Sequence, residues 1–167
     1  VATKTSGGNT WSINVAVLAA MDDGASFEIV LVAGTHVCFG VCKAGFVDVA
    51  STNYLFIGSD AWCMHAYDGS LYGNGKRRAD PAGGFAEGDR LGCRLDLGAG
   101  TLSFWKNGAP HGATHTGVVG PVRGFVEFFD QGASVSICAH PSFEEDLAVP
   151  VAEAPEEAVG GGAAAAP

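Results

Sequence analysis

The amino-acid sequence predicts an all-β domain, a two-sheet antiparallel sandwich spanning about residues 10–140 of the 167. Three observations carry this. Apolar residues recur with a period of two in short runs, the pattern of half-buried strands. Turn pairs separate the runs: Asp23-Gly24, Asp68-Gly69, Asn74-Gly75 and Asn107-Gly108. Such pairs favour the primed turns of hairpins, whose two central residues need positive φ. No long window carries apolar residues at i, i+3, i+4 and i+7 between helix caps. Many short strands with frequent turns make a sandwich or a barrel.

The elements follow in order. Residues 1–9 form a lead expected to be flexible. Trp11, Ile13, Val15 and Val17 then alternate with Ser12, Asn14 and Ala16. Phe27, Ile29 and Leu31 alternate with Glu28, while Val30 and Val32 make the same strand apolar on both faces, as in the middle of a packed sheet. Gly88-Asp89 turns into a strand in which Leu91, Cys93, Leu95 and Leu97 alternate with Gly92, Arg94 and Asp96. Residues 97–101 turn the chain so that Leu102 and Phe104 return to the core side, and Asn107-Gly108 reverses it again. Val135 and Ile137 mark the last strand. Residues 141–167 hold six acidic and no basic residues and end in a run of Gly, Ala and Pro, a composition expected to stay disordered.

Charge narrows the function. The formal net charge is −9, and the first 140 residues keep a net of −3, which argues against a nucleic-acid partner. No apolar run approaches the roughly 20 residues of a membrane-spanning helix, so no membrane partner is expected. The five cysteines, Cys38, Cys42, Cys63, Cys93 and Cys138, are odd in number and widely spaced, with no CxxC pair. Cys38 and Cys42 sit four apart on a strand, about 13 Å from one another, beyond the reach of about 7 Å for bridged Cα atoms. Buried reduced thiols acting as small hydrophobes are the expectation. With no Asn-x-Ser/Thr sequon, this points to an intracellular, cytoplasmic setting.

Catalytic and metal motifs find little support. Around Gly75-Lys76 the pattern of a phosphate loop fails, because Ser70 stands where the first Gly belongs and Arg77 follows the Lys. His111 and His115 are spaced HxxxH, but the glycines and threonines between and beside them disfavour the helix that would align them on a metal. No GxSxG elbow is present, and no carboxylate pair is marked for glycoside hydrolysis. Lys76, Arg77 and Arg78 are the only basic run. They follow a turn and are expected in solvent, with contact to an acidic partner as the sharper alternative. No enzyme activity, cofactor or metal is expected.

Two blocks carry a resemblance. Residues 58–75 read GSDAWCMHAYDGSLYGNG and residues 87–108 read EGDRLGCRLDLGAGTLSFWKNG. With Gly40-Val41 after an early strand, these blocks stand in the order found in the SPRY family, which the chain resembles over about residues 25–139. The resemblance implies a bent β-sandwich of jelly-roll type and a non-catalytic module, monomeric as an isolated domain. It implies a surface, formed by loops at one end, that holds a short peptide segment of a partner protein. Many family members have a longer N-terminal lead with extra strands that adds to the binding surface; here residues 10–18 and a short Asp22-Asp23-Gly24 turn precede the Phe27 strand.

On the resemblance, Tyr54 in NYLFIGSD takes the place of a ligand-contacting tyrosine, and Phe129, Asp130 and Gln131 in VEFFDQGASVSI supply a second contribution. Physically, Tyr54 offers apolar area and a hydroxyl at low entropy cost, although core packing fits it equally well. Phe128 and Phe129 are adjacent and must face opposite ways on a strand. Phe129 therefore either faces another layer or forms an aromatic patch rimmed by Asp130 and Gln131. The resemblance implies an adaptor or substrate-recognition domain of a larger protein, with a ubiquitin-ligase substrate receptor, a chromatin or cytoskeletal (including ciliary) assembly subunit and a channel as the hosts left open. The alternatives are a lectin-like carbohydrate-binding sandwich and a purely structural assembly module. A lectin usually has Ca²⁺ ligands clustered on one loop, a spacing that Asp60, Asp68 and Asp80 do not give.

Overall fold

The structure is a computed structural model that describes residues 2–3, 14–45, 58–139 and 141. Thirteen strands occur among these residues and no helix does: β1 Ala2–Thr3, β2 Asn14–Met21, β3 Ser26–Ala33, β4 Val37–Lys43, β5 Ala61–His65, β6 Leu71–Gly73, β7 Lys76–Arg78, β8 Arg90–Asp96, β9 Thr101–Lys106, β10 Ala109–Pro110, β11 His115–Thr116, β12 Val122–Phe128 and β13 Ser134–Ile137. They form two antiparallel sheets. The first has the order β1-β13-β3-β8-β9-β10, with β11 also on β9; the second has the order β2-β12-β4-β5-β6-β7. Neither sheet closes on itself, so the expected two-sheet sandwich is the fold.

One core lies between the sheets. The first sheet contributes Ile29, Leu31, Leu91, Cys93, Leu95, Leu102, Phe104 and Val135, all at most 2% exposed. The second contributes Val37, Phe39 and Val41 of β4, Trp62 and Met64 of β5, and Val122, Val126 and Phe128 of β12. Alternation places these residues. Phe39 anchors the middle, meeting Phe85 and Phe104 edge-on at 5.7 and 5.4 Å, a favoured aromatic geometry. Behind Phe39, the position of Gly40 is fixed by space: a Cβ there would lie 2.2 Å from the Trp62 carbonyl oxygen.

The turns divide by their first residue. In Asn74-Gly75 (φ 52° and 69°) and Asn107-Gly108 (53° and 86°) both residues take positive φ, as a primed turn needs, and each closes a hairpin, β6–β7 and β9–β10. The two Asp-Gly pairs have positive φ only at the glycine. Asp68-Gly69 still joins the paired strands β5 and β6. Asp23-Gly24 does not make a hairpin, because β2 and β3 belong to different sheets. This turn arches between the sheets and is held by the β8–β9 side: the Gly24 amide donates to the Leu95 carbonyl at 3.0 Å, and the Leu97 amide donates to Asp23 Oδ1 at 2.6 Å.

Two further details differ from the alternation. Glu28, the polar residue alternating with Phe27, Ile29 and Leu31, is fully buried and takes Nε and Nη2 of Arg90 on one carboxylate oxygen. Ala2–Thr3, within the stretch expected to be a flexible lead, pairs with β13 through Ala2↔Val135 and Thr3↔Ser134. Residues 11–13 of the first expected strand lie outside the described residues; the strand there runs on to Met21.

Candidate functional site

The second sheet has an outer face as well as the inner one, and the site builds up on it. On β4 the outward residues are Cys38 and Cys42, on β5 Cys63 and His65, on β6 Tyr72 and on β12 Phe125 and Glu127. The register lines Cys38 up with His65 and Glu127, and Cys63 with Tyr72. Cys38, Cys42, Ala61, Cys63 and Phe125 form a buried cluster of their own, against which Tyr72 and Phe129 pack. The expected burial of unbridged thiols holds for Cys38, Cys42, Cys63 and Cys93. Burial pushes the Cys42 thiol up to about 11 and raises that of Cys38 well above its ordinary value, so these sulfurs stay protonated and unreactive.

At one end of this face the chain leaves β12. Phe128 is in the core, and the next residue, Phe129, lies half-buried on the opposite side. Its amide donates to the His36 carbonyl at 3.0 Å, tying the end of β12 to the turn before β4. The Phe129 ring stands edge-on to His65 at 5.8 Å. His65 in turn lies 5.9 Å from His36 and 6.3 Å from Tyr72. Tyr67, 60% exposed, meets His36 edge-on at 4.6 Å. Five rings from four parts of the chain thus make one continuous, partly open aromatic surface.

Ion pairs rim it. His36 Nδ1 contacts Asp130 Oδ2 at 3.1 Å. His65 Nδ1 contacts Asp68 Oδ1 at 3.1 Å, and Asp68 also accepts from the Ser70 amide (3.0 Å), the Ser70 hydroxyl (2.9 Å) and Arg77 Nη2 (2.8 Å). Burial acts to raise the Asp68 carboxyl, but these donors outweigh it and hold the group down at about 2. Burial lowers His65 below its ordinary value, with Asp68 opposing, so at neutral pH the ring is uncharged and its Nδ1–H serves the carboxylate.

Three of the residues singled out from the sequence, Phe129, Asp130 and Gln131, sit together at this end, the last two exposed in the turn before β13. Tyr54 lies outside the described residues. Sequence reasoning missed His36, His65, Tyr67, Asp68 and Tyr72. His65 alternates with Ala61 and Cys63 on β5 and precedes Asp68 by three, a local signal; its meeting with His36 and Phe129 needs the β4–β5 and β4–β12 pairings. The histidines that were considered, His111 and His115, each point a ring nitrogen at a backbone carbonyl, of Gly83 and Cys63. The basic run is exposed as expected, but as strand β7, with Arg77 committed to Asp68 and Ser70. At the opposite end of β4, a shallow concavity of about 590 Å³ is lined by Lys43, Asp60, Val119 and Pro121, with Lys43 and Asp60 paired at 2.9 Å.

Fold and surface together define an antiparallel sandwich that presents aromatic and paired polar groups at one end. The SPRY domain family model matches residues 25–140, and the chain belongs to that family, whose members are generally protein–protein interaction modules. Among solved structures, the SPRY domain of human HERC1 is 28% identical, with 76% of this chain and 82% of that chain covered and a TM-score of 0.64. A human SPRY domain is 21% identical over 80% of this chain and 88% of that one, at a TM-score of 0.64. The TRIM65 PSpry domain is 19% identical over 73% and 68%, at a TM-score of 0.57; these last two show the fold. No helix among the described residues is long and apolar enough to cross a membrane.

Proposed function

We propose that this domain binds a short peptide segment of a partner protein on the aromatic surface around Phe129 and acts as a non-catalytic adaptor or substrate-recognition module of a larger protein. A ubiquitin-ligase substrate receptor is one such host. The supporting observation is the contact between half-buried Phe129, His65, His36 and exposed Tyr67. Aromatic side chains supply large contact area at low entropy cost, and the partly desolvated pairs beside them suit a peptide's backbone and polar groups. Asp130 and Gln131 complete the rim, and Tyr54 is proposed as a further contact. The module works as a monomer inside the cell, without cofactor, nucleic acid or membrane.

The test is selection of a displayed random-peptide library on the 167-residue chain, followed by affinities for Phe129→Ala, Tyr67→Ala and Tyr54→Ala. Loss of an aromatic anchor should weaken binding about tenfold or more. Peptides that bind all three variants as tightly as the parent place recognition elsewhere. Selection of no peptide, beside binding to a glycan array, would favour the lectin-like alternative.

A further inference from the structure

A second feature lies on the other side of β7, at the open mouth between the sheets. β7 is the edge of its sheet, and along it Lys76 and Arg78 point one way and Arg77 the other. Gly73 faces Lys76 across the hairpin, and Leu71 faces Arg78. Beside β7 is a cavity of about 330 Å³, lined by Lys76, Arg77 and Arg78 together with Trp62, Gly73 and His115. Arg78 spans its mouth, donating from Nη2 to the Thr114 carbonyl at 2.9 Å. Lys76 is exposed in the same strand.

Trp62 is the anomaly here. It is 1% exposed, and its Nε1–H is a buried donor without an acceptor among the described residues. An unmet buried N–H costs about 1–3 kcal/mol, and such groups are rare in native proteins. The indole edge that carries this N–H borders the cavity. A Cβ on Gly73 would lie 2.9 Å from Trp62 Cδ1, the carbon bonded to Nε1, and 3.0 Å from His115 Cε1. A side chain at Gly73 would therefore collide with both rings, and the bare backbone there lets the hairpin pack directly against Trp62 and His115. His115 forms the other wall, its Nε2–H directed to the Cys63 carbonyl at 3.0 Å.

We infer that this mouth is a receptor for a carboxylate side chain of a partner protein, one oxygen reaching the Trp62 N–H and the charge lying between Lys76 and Arg78. Charge complementarity selects the occupant: two cations flank an unmet donor, on a chain whose net charge is otherwise −9. Charge-assisted bonds to a carboxylate are the stronger class of hydrogen bond, and Arg matches its geometry. The site is separate from the Phe129 surface. Arg77 also lines the cavity, but its guanidinium is engaged by Asp68 at 2.8 Å on the side of that surface. The two sites would let one partner segment be read by an aromatic end and an acidic residue at once.

The indole ¹⁵N–H resonance of Trp62, assigned with Trp62→Phe against Trp11 and Trp105, reports on the donor. The 167-residue chain is titrated with acetyl-Gly-Glu-Gly-amide and with its Gln counterpart. The expected result is a saturable shift of the Trp62 N–H with the Glu peptide. The binding should weaken about tenfold in Lys76→Gln/Arg78→Gln, with thermal melting showing that variant folded. Phe129→Ala should leave the titration unchanged, which separates this inference from the proposed peptide surface. Gly73→Ala should abolish the shift where it folds. No shift means the donor serves solvent or nothing, and overturns the inference. So does an equal shift with the Gln peptide, which can donate to His115 Nδ1, or an equal affinity in the Lys76/Arg78 variant. A Trp62 shift caused only by changing Glu144, Glu145, Asp146, Glu153, Glu156 and Glu157 to Gln would assign the site to the chain's own tail, and also overturns it.

Discussion

The inner and outer faces of the second sheet are made by the same strands and bury side chains of opposite kinds. The inner face holds Phe39, Trp62, Met64, Val126 and Phe128 in a core shared with the first sheet. The outer face holds Cys38, Cys42, Cys63, Phe125 and Glu127, and rises at one end into the rings of Phe129, His65, His36 and Tyr67. The inner face is apolar apart from the Trp62 N–H, and its residues are fixed by volume. The outer face mixes small sulfur groups, a carboxylate and aromatic rings, and is fixed by hydrogen bonds and ion pairs as much as by packing. Stability should therefore concentrate on the first and recognition on the second.

The largest effect that sharpens this division is Phe39→Ala. Its ring is fully buried between Phe85 and Phe104, and truncation should cost about 3–5 kcal/mol in denaturant-unfolding experiments. A cost under about 1 kcal/mol, the level of an exposed site, would remove the distinction between the faces.

Next is Arg90→Ala, on the outer face of the first sheet. The Glu28 carboxylate is fully buried, while the Arg90 side chain is 39% exposed. Removing the guanidinium leaves the carboxylate without its cation, at about 1–3 kcal/mol after allowance for the exposed partner. Glu28→Leu combined with Arg90→Met should cost less than Arg90→Ala alone. If the double variant is the worse of the two, the pair is a net source of stability.

Phe129→Ala should split the readouts. The ring is only half-buried, so its loss should lower stability by about 1 kcal/mol, while peptide affinity falls about tenfold. A stability loss as large as that of Phe39→Ala would make Phe129 a core residue.

The alternation in Phe27, Ile29, Leu31 and in Leu91, Cys93, Leu95 was enough to place the inner face, because a period of two fixes which side each residue takes. The Asn-Gly pairs placed two hairpins, because both of their residues tolerate positive φ. Asp23-Gly24 was not legible as an arch, since a turn's local chemistry does not state which sheet the next strand joins. Glu28 was not legible as buried, because its partner Arg90 is 62 residues away. In the candidate site, the parity of two adjacent phenylalanines put Phe128 and Phe129 on opposite sides but left open what Phe129 would meet. His36 and His65 were not legible, because only the β4–β5 pairing brings them together. Trp62 is a core residue; that its N–H lacks an acceptor among the described residues is a property of the surroundings, not of the residue type.

The smallest effect is on pH, and it tests how the outer face is held. Burial lowers the pKa of His65 and His115 from 6.5 in the folded chain. The unfolded chain then takes up protons as pH falls through about 6.5 that the native state resists. The melting temperature should therefore decline below neutrality and level off only once both folded histidines are charged. Asp68 works in a lower window. Held at about 2 against an ordinary 3.8, it contributes stability above that ordinary value and loses it as pH falls toward 2. His65→Gln should flatten the upper decline. Asp68→Asn should reduce the lower one, which Asp80 and Asp89, also held below the ordinary value by hydrogen bonds, share, and steepen the upper, because Asp68 is what opposes the lowering of His65. An Asp68→Asn curve with an unchanged slope near pH 6 would mean the His65–Asp68 contact carries no coupling, leaving packing against Phe129 and Tyr72 as what orients the His65 ring.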